Sequence, residues 1–507
     1  MGAGSHGGGA KTGCGGDAQD KSAEEFQAGS LGRIGRLERD DTRPASGGSG
    51  PCVPEYRIYA ICKILAEGGP SPANYARIPY RMPSRRYRPA CWQVVNIEGT
   101  GLKEMLTPFP PPYVALLLAL LLPAQAFADE GDPINLLGSA RLQHDSNLFR
   151  LPGDADSQRL LGKPDKSDQI LITSLGVQLD KPYGLQRFEL DANLTNYRYR
   201  NFRHLDSTAR NYTAAWQLQL TPQLHGRLSG SRTDTLNTFA DVSGYDKRNL
   251  RTEERRRFDG SYDVSGSVRL LAGVGRYSKK SNQTSSVEDD YRVNSREGGV
   301  RYESPSGASV SLVTKRSDGT YLNRPQLNPA TMLDSSFDER SNEVRLRLPA
   351  GGSAAFDARL ARIERKHAHF SERDFSGTVG NLSLNWNITG KTQLAASVMR
   401  ELSSAQSNTA SYVESTRFLL APYWQITEKA GMRLRYVHEV RDYLGQLSNA
   451  MPLDQSDTLD TAMIEFEWRP LRSLLMSTSL QTDLRSSNLP RRDYRSQSTS
   501  ISAQYTF

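Results

Sequence analysis

Arginines spaced two residues apart are the side chains of this chain best suited to chemistry. Arg345 and Arg347, and likewise Arg433 and Arg435, would project from one side of an extended segment, and Arg187 stands opposite Phe188. A guanidinium is planar, permanently charged and able to grip a carboxylate through two parallel hydrogen bonds, so such rows fit contact with acidic, hydrophilic groups. The plainer reading is that each arginine neutralises a nearby acid, as Arg433 and Arg435 would for Glu439. Catalytic arrangements are weaker. A nucleophile needs a base within reach and a third group to orient that base. His438 shares the apolar parity of Leu434 and Tyr436, which makes it a poor base, and His225 adjoins a turn. His367-Ala368-His369 has the spacing of a metal-binding pair but lacks a further ligand set, and a solvated loop is its simpler reading. No nucleophile elbow or glycine-rich phosphate loop follows residue 128. The expectation is a protein without enzymatic activity, metal or cofactor. A net charge of +8 with basic residues spread along the segments gives no footprint for nucleic acid.

The elements that must carry these arginines alternate one by one. Tyr212, Ala214, Trp216, Leu218 and Leu220 face Thr213, Ala215, Gln217, Gln219 and Thr221; Leu382, Leu384, Trp386 and Ile388 face Ser383, Asn385 and Asn387. Ala462, Ile464, Phe466 and Trp468 repeat the pattern. One greasy and one polar face per segment is the period of a half-buried strand, and helical period is nearly absent. Short turns and long polar connections take turns along the chain. The short ones are 181–184, 221–223, 264–267, 304–307, 349–352, 389–391, 427–429 and 469–471, each with residues suited to a tight hairpin. Between them lie polar stretches such as 238–250, 322–335 and 445–456. This predicts an all-β fold, a transmembrane antiparallel β-barrel of about 18 strands with 16 as the alternative, short periplasmic turns on one rim and long outer loops on the other. An arginine facing lipid at mid-bilayer costs roughly 2–4 kcal/mol, so the arginines belong on the polar, inward parity. Arg359 and Arg362 break that rule by opposite parity, and a bulge or the rim is expected there. Trp216, Trp386, Trp424 and Trp468 share the apolar parity just before short turns, the place of an aromatic girdle at headgroup level.

An address precedes the strands. The apolar run from Tyr113 to Phe127 is shorter than the about 20 residues of a membrane helix and ends in Ala126-Phe127-Ala128, a small-x-small cleavage site. Pro123 argues against a buried core helix or retained anchor. Residues 105–128 are therefore read as a signal peptide and 129–507 as the exported barrel. Residues 1–104 are rich in Gly, Arg and Pro, hold all four cysteines (Cys14, Cys52, Cys62 and Cys91) and read as a disordered leader from an upstream start, with Met82 and Met105 as later starts. A cysteine-free exported chain suits an oxidising compartment.

Two short motifs sharpen the expectation. The last strand, Thr499 to Phe507, alternates and ends with Tyr505 and Phe507, which resembles the C-terminal assembly signal of bacterial outer-membrane proteins and implies the barrel assembly machinery as a partner. The run Asp132-Pro133-Ile134-Asn135, followed by Asp145-Ser146-Asn147-Leu148-Phe149-Arg150-Leu151, resembles the opening of EpsL-type outer-membrane proteins of exosortase-linked exopolysaccharide loci. Carried over from that pattern are Asp145, Asn147, Leu148, Phe149 and Arg150. The resemblance implies a barrel in the bacterial outer membrane that takes part in exopolysaccharide biosynthesis or export, with the membrane lipid, a polysaccharide chain and other export components as partners. Arg187, Arg345, Arg347, Arg433 and Arg435 would then be lumen contacts of the polymer. The alternatives are a general porin-like channel and a lipid-hydrolysing barrel.

Overall fold

The computed structural model describes residues 133–507 apart from 237–238, 240–246, 283–289, 325–331, 405–409 and 447–453. The signal segment, the leader and its cysteines lie outside the described residues. Eighteen strands follow one another: β1 (Ile134–Asp145), β2 (Asp168–Tyr183), β3 (Gln186–Tyr199), β4 (Ser207–Gln219), β5 (Leu224–Leu236), β6 (Leu250–Ser265), β7 (Val268–Ser281), β8 (Tyr291–Glu303) and β9 (Ser309–Tyr321) in the first half. The second half holds β10 (Ser336–Ala350), β11 (Ala354–His367), β12 (Phe375–Asn387), β13 (Thr392–Ser404), β14 (Tyr412–Gln425), β15 (Ala430–Leu444), β16 (Gln455–Leu471), β17 (Leu474–Ser487) and β18 (Tyr494–Thr506). Each strand pairs with its neighbours in sequence, and β1 pairs with both β2 and β18, so the sheet closes and has no free edge. Closure satisfies every inter-strand backbone group internally, which is the condition for crossing a bilayer with strands.

The alternation read from the sequence is the alternation of the wall. Leu175, Leu194, Leu228, Val274, Leu312, Leu360, Leu382 and Ile464, among others, form a continuous exposed apolar belt on one parity. The opposite parity carries the charges. A barrel with a greasy outside and an ionic inside is a transmembrane barrel. Strands of 12 to 17 residues exceed the about 9–11 needed to cross, and the surplus lies toward the long loops. On β11 the outward residues change from Phe356 and Leu360 to Arg362, Glu364 and Lys366 at that end, with Lys366 bonded to Glu364 at 3.1 Å. The register of β11 is regular with both neighbours, so no bulge separates Arg359 from Arg362. Of the two expectations for this strand the rim is the observed one: Arg359 points inward and Arg362 outward, beyond the belt.

All eight short turns fall where the alternation of short and long connections puts them, and their chemistry explains their geometry. Gly184 joins β2 to β3 with φ 58°, the positive angle that the first central residue of a two-residue hairpin turn demands. Gly351 and Gly352 take 59° and 73° between β10 and β11. Several boundaries differ from the sequence reading: residues 181–183, 264–265 and 349–350 still belong to β2, β6 and β10, and Arg469-Pro470-Leu471 lies wholly at the end of β16, the turn there being formed by residues 472–473. Pro470 has no N–H to give the ladder, and the register shifts between Trp468 and Leu471 to accommodate it. The four tryptophans sit outward near the short-turn rim, half-exposed as rings at an interface are.

Close packing through the wall uses glycine as a socket. Gly319 on β9 faces inward, and a Cβ there would stand inside the ring of Phe337 on β10, itself buried. Gly319→Val is expected to unseat that ring and destabilise the barrel by about 1–3 kcal/mol; a micelle unfolding titration with an unchanged midpoint would contradict the socket.

Candidate functional site

The inner wall is an ionic lattice. Glu343 on β10, almost wholly buried, accepts from Arg345 Nη2 at 2.9 Å and from Arg359 Nη2 at 2.8 Å, the two arginines standing directly opposite each other on β10 and β11. Arg257 on β6 bridges Asp259 at 2.6 Å and Glu297 on β8 at 2.5 Å. Arg269 joins Asp263 and Glu303, and Glu439 on β15 takes Arg417 at 2.7 Å and Arg441 at 2.5 Å. Charged hydrogen bonds of this kind hold long side chains against the wall and leave a hydrated, polar surface.

The five sequence-chosen lumen arginines all lie on the inward parity, but they do not form one constellation. Arg187 pairs with Asp180 at 2.7 Å and Glu189 at 3.4 Å, Arg345 with Glu343, and Arg433 with Glu467 at 3.1 Å. The expected pairing of Arg433 and Arg435 with Glu439 is corrected: the partners of Glu439 are Arg417 and Arg441, which reach it across the strand pair and from two residues along the same face. Arg435 makes no ion pair among the described residues and lies beside Arg417 rather than an acid. An unpaired cation on a lumen wall attracts anions.

The histidines are placed differently from a metal pair. β11 ends at His367, which is buried and 3.4 Å from Asp374, while His369 lies beyond the strand and meets Asp334 at 3.2 Å. The reading of a solvated loop also fails for His367, whose ring packs against Phe337. No group of three or more metal-type side chains occurs among the described residues. His225 points inward to Asp263, and His438 points outward, where Asp460 accepts from it and from Tyr436.

The Asp145 to Arg150 motif begins on the last residue of β1 and runs into the connection 146–167, which folds into the outer mouth. Asp145 Oδ1 accepts from the Asn147 backbone N–H at 2.9 Å, and Asn147 in turn takes the Leu151 N–H and donates to the Leu151 and Arg495 carbonyls. These bonds wind the chain back so that Arg150, at φ 54°, aims at Asp145 (2.9 Å), Ser496 (3.0 Å) and Asp483 (3.3 Å). Burial alone would lower the pKa of Arg150, but Asp145 and Asp483 outweigh it and hold the guanidinium above its ordinary value. Phe149 and Leu151 then enter a fully buried cluster with Ile170, Tyr199, Phe202 and Leu205. Ile170 and Tyr199 belong to the inward parity of β2 and β3, so the loop covers the lumen side of those strands. A short helix, α1 (Ser157–Leu161), capped by Asp156, follows.

Sequence reasoning missed a second clasp across the mouth. Asp334 accepts from the backbone N–H of His369 at 2.6 Å, from that of Phe370 at 3.3 Å and from that of Ser335 at 2.8 Å. Arg373, fully buried, donates to the carbonyls of Met332 and Ala410, and Ser411 donates to those of Glu372 and Gly445. Four outer loops are knitted together by backbone carbonyls, a partner class that residue spacing does not reveal. Below them, Tyr277, Tyr291, Tyr321 and Phe337 form a chain of rings 5.6–6.3 Å apart on the inner wall, with the Arg365 guanidinium 4.1 Å from Phe337.

No protein-family model matches the chain, and no curated protein does. Among solved structures, the barrel is similar to OccK2 (OpdF) of Pseudomonas aeruginosa, solved with glucuronate, at 12% identity and a TM-score of 0.40 over 74% of this chain and 98% of that one. A BenF-like porin from Pseudomonas fluorescens gives 9% and 0.41 over 75% and 100%, and OccAB3 of Acinetobacter baumannii 8% and 0.38 over 74% and 99%.

Proposed function

We propose that this chain is a channel of the bacterial outer membrane that passes hydrophilic, acidic solutes through a lumen narrowed at its outer mouth. The observation that carries the reading is the inward parity: on strand after strand it presents charged side chains, while the outward parity presents an apolar belt. A barrel of this strand number is wide enough to keep an aqueous path. Because most lumen arginines are paired with acids, selectivity falls to unpaired ones such as Arg435 rather than to the whole set.

Reconstituted into a planar bilayer, the protein is expected to give steady ohmic conductance with a modest preference for anions. Arg435→Glu is expected to reduce or reverse that preference, read as a shift in reversal potential under a potassium chloride gradient. A barrel that inserts but passes no ions would overturn the reading.

A narrower role, passage of an exopolysaccharide chain, is supported by the Asp145 to Arg150 motif and its EpsL-type resemblance. A deletion strain should then lose extracellular polymer, and an Arg435→Glu strain should lose part of it if the polymer is acidic. Unchanged polymer secretion would remove this role and leave the channel. Lipid hydrolysis lost on deletion would instead support the hydrolase alternative.

A further inference from the structure

The outward face of the barrel carries a row of arginines that the lumen does not use. Six consecutive strands, β6 to β11, each place one arginine outward where the apolar belt ends: Arg256, Arg276, Arg296, Arg316, Arg340 and Arg362, all exposed. The register sets them side by side. Arg256 is directly opposite Arg276, and Arg296, Arg316 and Arg340 are directly opposite one another across three strands. Like charges facing each other across strands repel, at Cβ separations of about 4.5–5.5 Å. Arg256 lies 3.8 Å from Glu254, Arg276 bonds Asn294 and Arg362 bonds Ser376, but Arg296, Arg316 and Arg340 make no ion pair among the described residues. The acids facing this rung do not relieve it. Asp318 and Asp338 stand one rung further out, opposite each other, and Glu364, opposite Arg340, is taken by Lys366. Outward arginines occur on other strands too, but several of them carry an acid, Arg198 with Asp206 at 3.1 Å, Arg232 with Glu254 at 3.3 Å and Arg400 with Glu414 at 2.6 Å; what sets β8 to β10 apart is three unpaired arginines directly opposite one another.

Immediately below the three unpaired arginines the wall is hollowed. The next rung toward the belt is Gly298, Thr314 and Asn342, and the one after it Val300, Leu312 and Val344. These six residues, with Gly299, Val313 and Glu343 between them along the same three strands, line a shallow open depression of about 390 Å³, and a Cβ at Gly298 would meet nothing there closer than the Leu271 carbonyl at 3.9 Å. Thr314 donates to Asn342 at 2.9 Å on its floor. A cationic rung above a polar step and an apolar trough is the profile of a phosphorylated lipid, headgroup uppermost and acyl chain down.

We infer that this sector binds a phosphorylated glycolipid of the outer leaflet, its phosphates on Arg296, Arg316 and Arg340 and one acyl chain in the Gly298 hollow. The inference rests on the barrel spanning the membrane as proposed above. Charge complementarity selects the headgroup, and the position of the row at the belt's upper edge selects a membrane lipid over a free anion.

The experiment uses the barrel purified in a neutral detergent and titrated separately with bisphosphorylated lipid A, its dephosphorylated form, and inorganic phosphate, with bound lipid counted by native mass spectrometry. Lipid A is expected to bind, with the triple variant Arg296→Gln, Arg316→Gln, Arg340→Gln weaker by at least about tenfold, on the basis of the usual gain per basic residue at an anionic surface. Gly298→Leu fills the hollow with the arginines intact and should also weaken lipid A. In lipid-free detergent the triple variant should keep its folded gel mobility to a higher temperature than wild type, because the repulsion is gone; added lipid A should reverse the order. Equal lipid A binding by wild type and triple variant, equal binding of the dephosphorylated lipid, or displacement of lipid A by millimolar phosphate would each overturn the site. Absence of heat-modifiable mobility in the wild type would instead strike the membrane reading beneath it.

Discussion

Arg150→Ala is expected to leave a barrel that assembles but unfolds more readily, by about 3–5 kcal/mol, with a wider outer mouth. The cost is large because Arg150 and Asp145 are both withdrawn from water, and removing the cation leaves Asp145 buried beside Asp483 with no countercharge. The same side chain caps the turn that presents Phe149 and Leu151 to their buried cluster, so its loss frees the connection 146–167 from β2 and β3. Two measurements check this: the denaturant midpoint in micelles, which should fall, and single-channel conductance, which should rise. Asp145→Asn should give a milder form of both. Conductance unchanged alongside a lowered midpoint would mean that the loop does not narrow the path.

The second large effect is expected at Glu343. Its carboxylate is shared by Arg345 and Arg359, which face each other directly, and it also accepts from Ser341 at 3.0 Å. Glu343→Gln removes the countercharge and keeps the volume, so two lumen arginines are left opposed. A loss of about 3 kcal/mol is expected, the low end of the range for a broken buried pair because both arginines keep some water. Anion preference should rise, since the freed guanidiniums face the lumen. An unchanged unfolding midpoint together with an unchanged reversal potential would show that Glu343 does not organise this part of the wall.

Much of the fold was legible because a barrel writes its wall in the primary structure. Period-two alternation gave the faces, and the turn chemistry at positions such as Gly184 and Gly351 gave the rim. What stayed hidden depends on partners distant in sequence. The parity of Arg433 and Arg435 could be read, but that Arg433 takes Glu467 follows from the register of β15 on β16, which parity does not specify. The opposite parity of Arg359 and Arg362 leaves a bulge and the rim equally open, and only the regular register of β11 with both neighbours selects the rim. The Asp145 to Arg150 run could be noticed by resemblance, yet its physical purpose needed Asp483 and Ser496, more than 330 residues away. Arg373 was invisible for a simpler reason: its partners are backbone carbonyls, which every residue has.

The clasp at Arg150 joins the first strand of the barrel to the last. Asp145 closes the first strand, while Ser496 sits near the start of the last one, and Ser496 Oγ donates to Asp145 at 2.7 Å. Nothing synthesised before β18 can complete that contact, and its chain separation makes it among the latest to form. The mouth can therefore be latched only on a finished wall. A barrel stalled one hairpin short would keep the local Arg150–Asp145 pair and the apolar packing of its first loop but lack Asp483, Arg495 and Ser496, so the latch works as a completion signal, reporting at the outer rim that the seam below has shut.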